Sequence, residues 1–241
     1  MIKKSKDDTN LKMFILCGGR GKRLGSITNK IPKPLVKIGS KPMLHHKLDF
    51  YSNQGVSDYI FCTGYKSDQI IQSVASYKNI SAKFSDQGEK AGILKRIYEA
   101  KKLSPGTNLV SYGDTITAID LKLLANTHKD SGMPCTIVTA PIIHPFGLID
   151  FDQRGYVTSF SEKPVLKYFI GYSIISDDFF DYIPKEYIEM EDGTGLVCAF
   201  QYLIERKLLK SYFHEGKQIT FNTPEEHRSA EESIDGFLTI K

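Results

Sequence analysis

The chain has 241 residues, 41% of them hydrophobic and 25% charged, a balance that suits a packed globular core and excludes disorder as the default. The formal net charge of +4 is too small to mark a nucleic-acid surface, yet residues 1–47 carry 12 of the 32 basic residues against only Asp7 and Asp8, so the charge points to one local anion site. Cys17, Cys62, Cys135 and Cys198 form no CxxC pair, which argues against a zinc site or a disulfide framework.

Residues 1–10 are polar, with Lys3, Lys4 and Lys6 among them, and read as a flexible tail. No apolar leader follows and no stretch reaches the ~20 apolar residues of a membrane span, so a cytoplasmic location is expected. Residues 11–241 read as a single domain. The apolar run 13–17 reads as a buried strand that breaks into glycines. Residues 42–53 have helical spacing, and Gly55 supplies the stop. A strand is expected at 58–63, a helix at 66–77, a short strand at 81–85, a helix at 92–103, a strand at 108–112 and a helix at about 119–130. This alternation predicts an α/β fold, a Rossmann-like doubly wound, mostly parallel sheet with its ligand site at the strand carboxyl ends. After residue 134, short strands at 135–140, 147–150, 156–160 and 170–175 predict an antiparallel extension in the C-terminal half. Helices near 197–208 and 224–234 follow.

Four clusters carry chemistry. The loop Gly18-Gly19-Arg20-Gly21-Lys22-Arg23 follows the first strand directly. Its glycines allow close backbone approach and aim N–H groups at a ligand, and its cations add charge, which together suit a triphosphate. The spacing is neither that of a Walker A loop nor that of a dinucleotide fingerprint. Lys33 stands between Pro32 and Pro34, which fix the backbone and reduce the entropy lost when its ammonium is held. A cation held ~4 Å from a phosphate charge is worth roughly 4 kcal/mol before desolvation. Asp114 ends the strand at Tyr112-Gly113-Asp114 and is a candidate Mg²⁺ ligand, since Mg²⁺ needs only one or two protein carboxylates beside phosphates and water. Lys163, in Glu162-Lys163-Pro164, is a second fixed lysine. His45 and His46 are adjacent and point about 100° apart on a helix, so they do not share a metal.

These motifs occur in the order seen in nucleotide-sugar pyrophosphorylases, and the chain resembles that nucleotidyltransferase family from about residue 12 to 235. The stretches at 61–66, 92–97 and 146–150 resemble the glucose-1-phosphate cytidylyltransferases within it. The resemblance implies an enzyme that transfers CMP from CTP to a phosphorylated acceptor, with Mg²⁺ as cofactor and release of pyrophosphate. It implies nucleotide binding by Leu16, Gly18, Gly19, Gly21, Lys22, Gly64, Gly92, Arg96 and Gly113, with Gly64 and Arg96 near the base. Arg23 would meet the leaving pyrophosphate, Lys33 the α-phosphate and Lys163 the acceptor phosphate. His144 is a candidate to line the acceptor pocket.

The match departs from the family in four places. Lys22 replaces the loop threonine. Asn222 stands where the second metal carboxylate belongs. Phe169-Ile170-Gly171 replaces the sugar-binding Asn-Gly-Gly, with Phe169 and Gly171 as the acceptor-side candidates. Cys198 aligns with a later glutamate. Apolar groups where sugar hydroxyls are normally bonded argue for an acceptor other than glucose 1-phosphate: another sugar 1-phosphate, or a non-sugar phosphate or phosphonate. A guanylyl- or uridylyltransferase and a nucleotide-binding regulatory domain without catalysis are the alternatives. No nucleic-acid or membrane partner is expected, and the oligomeric state is left open.

Overall fold

A computed structural model describes residues 11–238; the expected tail at 1–10 lies outside them. The first half contains β1 (Lys12–Leu16), α1 (Ile27–Lys30), β2 (Lys37–Ile38), β3 (Lys41–Pro42), α2 (Met43–Asn53), β4 (Asp58–Thr63), α3 (Ser67–Val74), β5 (Ser81–Asp86), α4 (Ile93–Leu103), β6 (Asn108–Tyr112) and β7 (Thr115–Thr117). The second half adds α5 (Leu121–Ser131), β8 (Cys135–Ile143), β9 (Leu148–Phe151), β10 (Val157–Ser161), β11 (Val165–Ile175), α6 (Thr194–Glu205), β12 (Leu209–Phe213), β13 (Gln218–Thr220) and α7 (Pro224–Leu238). No described helix is long and apolar enough to cross a membrane.

Seven strands form one sheet in the order β12-β8-β11-β6-β1-β4-β5. β11 runs antiparallel to both of its neighbours, and every other pairing is parallel. The chain moves outward from β1 through β4 to β5, then returns to β6 on the other side of β1. That reversal leaves a crevice beyond the carboxyl ends of β1 and β6, the usual ligand position in such sheets.

The apolar run of β1 has a simple cause. Met13 and Ile15 face a core that includes Met43, Leu44 and Leu48 of α2. Phe14 faces the opposite core, with Leu94 and Ile97 of α4 and Leu196 and Leu203 of α6. A strand covered on both faces needs apolar residues at every position. Cys17, Cys62 and Cys135 are buried within these layers.

The C-terminal half is mixed, as expected, with differences in detail. The helix expected near 197–208 spans Thr194–Glu205, and Leu209–Phe213 forms an edge strand that the pattern did not announce. β7 and β13 pair with each other over three residues, too short for any periodicity to show. β11 is nearly twice its expected length and carries an irregularity. Its register against β8 shifts between Phe169 and Ser173, and Gly171 inside that bulge has φ 79°. A Cβ at Gly171 would lie 2.9 Å from the Tyr112 ring, so glycine is required both for the backbone and for the contact.

His46, His128 and His214 are buried, and burial lowers the pKa of each below its usual 6.5. Each is therefore neutral in the fold at pH values where the unfolded chain begins to take up protons. Their contribution to stability is full above pH 6.5 and is lost as the pH falls through 6.5 and the lowered folded values. The melting temperature should fall between about pH 7 and pH 5. His128→Gln, which keeps an amide for Thr136 and Ser176, should flatten that slope. An unchanged slope would remove His128 from the account.

Candidate active site

The loop after β1 is held by a buried arginine. The Arg96 guanidinium, on the first turn of α4, donates to the carbonyls of Thr63, Gly88 (2.6 Å), Glu89 (3.2 Å) and Gly18 (3.4 Å). It thereby joins the glycine loop, the end of β4 and the loop before α4. A rigid fork of five donors suits several fixed carbonyls better than a flexible ammonium would. A Cβ at Gly18 would fall on this guanidinium, and a Cβ at Gly64 would meet both it and the Gly88 carbonyl. Gly21 takes φ 65° and leads into the single turn at 22–24, and its carbonyl accepts from Thr28 Oγ1 at 3.1 Å. Arg20 closes toward Glu89 across the mouth at 3.7 Å.

Three distant segments meet beside this loop. Lys33 Nζ donates to Asp114 Oδ2 and, at 3.0 Å, to Asn222 Oδ1. Pro32 and Pro34 flank Lys33 and are buried with it. Gly113 permits the approach: its N–H donates to Leu16 O at 3.0 Å, and a Cβ there would lie 2.8 Å from Pro34 Cγ. Asn222 arrives through the β7–β13 pair. Thr115 and Thr220 are register partners, so the residues just before one lie beside those just after the other. The Asn222 backbone N–H donates to Glu226 at 2.6 Å, and Glu226 N–H donates to Thr223 Oγ1 at 3.2 Å, which fastens the loop to the start of α7.

Below Asp114 lies a second buried cation. Lys47 of α2 donates to Ser111 Oγ and, at 2.6 Å each, to the carbonyls of Tyr112 and Thr115. Burial pushes its pKa down to about 7, and the charge of Asp114 opposes the shift. The neighbouring Cys17 thiol is pushed well up by burial, so it is no nucleophile.

A cleft of about 830 Å³ opens at this point. Of the residues predicted for the nucleotide, Leu16, Gly18, Gly19, Gly21, Lys22, Arg96 and Gly113 line it, as do Arg23, Lys33 and Asp114. Gly64 and Gly92 are not among its lining residues. Gly64 sits behind Arg96, and Gly92 packs against the Met190 carbonyl. None of Lys163, His144, Phe169 and Gly171 lines the cleft. Phe169 is one layer behind it, edge-on to Tyr112 with ring centroids 6.0 Å apart. Lys163 is exposed at φ 43°, an unfavourable conformation for a residue with a Cβ. His144 bonds locally through Nδ1 to Phe146 O at 2.9 Å. The opposite wall carries Glu191, Asp192 and Gly193, which the motif reading passed over. Their only sequence signal is an Asp-Gly turn just before α6.

A divalent cation fits this site in part. Asp114 and Asn222 turn hard oxygen donors toward one point, since both accept from the same ammonium. Among the described residues no group of three or more His, Cys, Asp or Glu side chains could hold a metal alone. One carboxylate and one amide oxygen suit Mg²⁺ when phosphates and water complete its shell.

The loop architecture predicts that Gly18→Ala will displace the Arg96 guanidinium. Nucleoside triphosphate affinity should fall at least ~10-fold by isothermal titration, and Arg96→Lys should weaken binding as well, because the ammonium cannot serve four carbonyls. Undiminished binding in both variants would show that the clamp does not set the loop.

Comparison with known proteins agrees with this geometry. A family model described as nucleotidyl transferase matches residues 12–194. A probable glucose-1-phosphate cytidylyltransferase of Bacillus subtilis is 31% identical over 73% of this chain and 79% of its own length. A mannose-1-phosphate guanyltransferase of Candida albicans is 30% identical over 91% of this chain, which spans 63% of that relative. The structure of HddC from Yersinia pseudotuberculosis complexed with GMP-PN superposes with a TM-score of 0.71 at 26% identity, covering 93% of this chain and 99% of that one. A glycine loop beside a lysine–carboxylate pair at the switch point and a family match over most of the chain lead to one assignment: the chain belongs to the nucleotidyltransferases, a family of enzymes that act on a nucleoside triphosphate and a sugar phosphate.

Proposed function

We propose that the enzyme transfers a cytidylyl group from CTP to a phosphorylated small molecule other than glucose 1-phosphate and releases pyrophosphate. The reading rests on the convergence of Lys33, Asp114 and Asn222 beside the glycine loop. The choice of CTP draws on the likeness to the Bacillus cytidylyltransferase. An oxygen of the acceptor phosphate attacks the α-phosphorus in line. The new P–O bond forms as the bond to the bridging oxygen breaks, and pyrophosphate leaves with that electron pair. Both the attacking and the leaving groups are anions, so charge stabilisation and positioning carry the reaction. The N–H groups of Gly18 to Gly21 cradle the triphosphate, Arg23 meets the leaving pyrophosphate and Lys33 meets the α-phosphate.

Enzymes of this family generally use a divalent metal. Here Asp114 and Asn222 would hold Mg²⁺, which would supply positive charge to the phosphate oxygens. The case against glucose 1-phosphate draws on the sequence alone, where Phe169-Ile170-Gly171 replace the polar Asn-Gly-Gly; a sugar hydroxyl that loses a buried partner costs about 1–3 kcal/mol.

A second reading, guanylyl transfer, is favoured by the longer match to the Candida guanyltransferase and by the nucleotide in the Yersinia structure. Pyrophosphate release with Mg²⁺ and each of CTP, UTP, GTP, ATP and dTTP, against pooled sugar 1-phosphates, phosphorylated alcohols and phosphonates, separates the two. Release with CTP is expected, with glucose 1-phosphate a poor acceptor. Release mainly with GTP, or glucose 1-phosphate as the best acceptor, would overturn the proposal. Binding of CTP without release from any mixture would favour a regulatory domain.

Lys33→Ala and Asp114→Ala should each lower kcat by ~100-fold or more while the fold is retained. Asn222→Asp adds a second carboxylate and should lower the Mg²⁺ concentration for half-maximal rate. A normal rate in either alanine variant would remove that residue from catalysis.

A further inference from the structure

The Lys33–Asp114 pair joins two loops, and one helix braces both. Met43, the first residue of α2, donates its N–H to Val36 O at 3.0 Å, and Val36 N–H donates to Lys33 O at 3.1 Å. That chain of bonds fixes the turn carrying Lys33. One turn further along α2, Lys47 reaches the other loop. Its ammonium donates to Tyr112 O and Thr115 O at 2.6 Å each, and so holds the backbone on both sides of Gly113 and Asp114. Its third donor goes to Ser111 Oγ, which in turn donates to Tyr112 O at 3.1 Å. Tyr172 completes the cradle: its hydroxyl donates to Thr115 O at 2.7 Å, and its ring centroid lies 4.7 Å from Lys47 Nζ.

Core packing alone would not select this arrangement. Lys47, Ser111 and Tyr172 are fully buried, and the three acceptors of the ammonium are two carbonyls and a hydroxyl, none of them a carboxylate. An apolar side chain of similar volume is often as stable as a buried charge, or more so. What the ammonium adds is three donors radiating from one point. Only Gly113 and Asp114 separate β6 from β7, so fixing the carbonyls that flank them fixes where the Asp114 carboxylate points. Lys47 does not line the cleft and donates to nothing in the loop 18–23, which leaves the triphosphate to that loop and its Arg96 clamp.

We propose, on the transfer reading above, that Lys47 is a positioning residue: through the carbonyls of Tyr112 and Thr115 it sets the Asp114 carboxylate opposite Lys33, beside the glycine loop.

Lys47→Met fills the same space without donors. In steady-state pyrophosphate release its kcat should fall roughly 10–100-fold. KM for the triphosphate should stay within about 2-fold of wild type, and the melting temperature should be no lower. Tyr172→Phe removes one donor from Thr115 O and should lower kcat in the same sense by a smaller factor. In an Asp114→Asn background there is no carboxylate to aim, and Lys47→Met should then change kcat by less than about 2-fold. An arm without turnover uses Mn²⁺ titrated onto enzyme saturated with the triphosphate that wild type binds best, with no acceptor, followed by electron paramagnetic resonance. Mn²⁺ should bind ~10-fold more weakly to Lys47→Met than to wild type.

Unchanged kcat and Mn²⁺ affinity in Lys47→Met would overturn the proposal, as would losses that multiply in the Asp114→Asn background. Tighter Mn²⁺ binding would also overturn it, because the lysine would then act through its charge and not through the turn. If Lys47→Met fails to fold, a wild-type kcat in Tyr172→Phe has the same consequence. Wild type that releases no pyrophosphate with any triphosphate would instead remove the transfer reading, and the Mn²⁺ titration would still decide whether Lys47 sets Asp114.

Discussion

The site is organised around one ammonium group. Lys33 reaches Asp114, 81 residues away, and Asn222, 189 residues away, and those three segments share no local structure. Each is delivered by a different device: a proline-flanked turn, the end of a central strand, and a three-residue strand pairing followed by a helix cap. A buried carboxylate without such a partner would be costly. The pairing keeps a negative group beside the glycine loop.

Two further cations, Arg96 and Lys47, are buried with backbone carbonyls, and in the case of Lys47 a hydroxyl, as their hydrogen-bond acceptors. Neither donates to a carboxylate, so each spends its donors on fixing loops. Arg96 aligns the glycine loop with the turn before α4, and Lys47 ties the β6–β7 turn to α2. The site is thus held by a scaffold of donors aimed at peptide oxygens, and the glycines at 18, 64 and 113 are the spaces that this scaffold requires. Such a loop needs little reorganisation when a triphosphate enters, which is the condition under which preorganised charge lowers a barrier.

The arm formed by β9, β10 and the ends of β8 and β11 belongs to a different physical regime. The inner strands β1 and β4 are buried and largely apolar, whereas every residue of β9 and β10 is exposed although five of the nine are apolar. Lys163 and His144, the predicted acceptor-side groups, sit on this arm, so whatever orders it also sets where they stand relative to the cleft.

Local chemistry determined much of this from the sequence alone. An apolar run ending in glycines and cations announces a buried strand and a phosphate loop, because strand period, glycine freedom and charge are properties of neighbouring residues. The lysine between two prolines and the aspartate at a strand end are legible for the same reason, and so is the alternation of strands and helices that places them on one edge of a sheet. The motif order was enough to indicate the family. Only the tertiary structure decided that Asn222 joins Asp114 on the Lys33 ammonium by way of a pairing of three residues, and that Arg96 is consumed as a clamp. It alone decided that Glu191 and Asp192 form the far wall, and that the acceptor-side candidates stand outside the cleft. Those outcomes depend on contacts between distant segments and on backbone carbonyls, which every residue carries and no sequence pattern distinguishes.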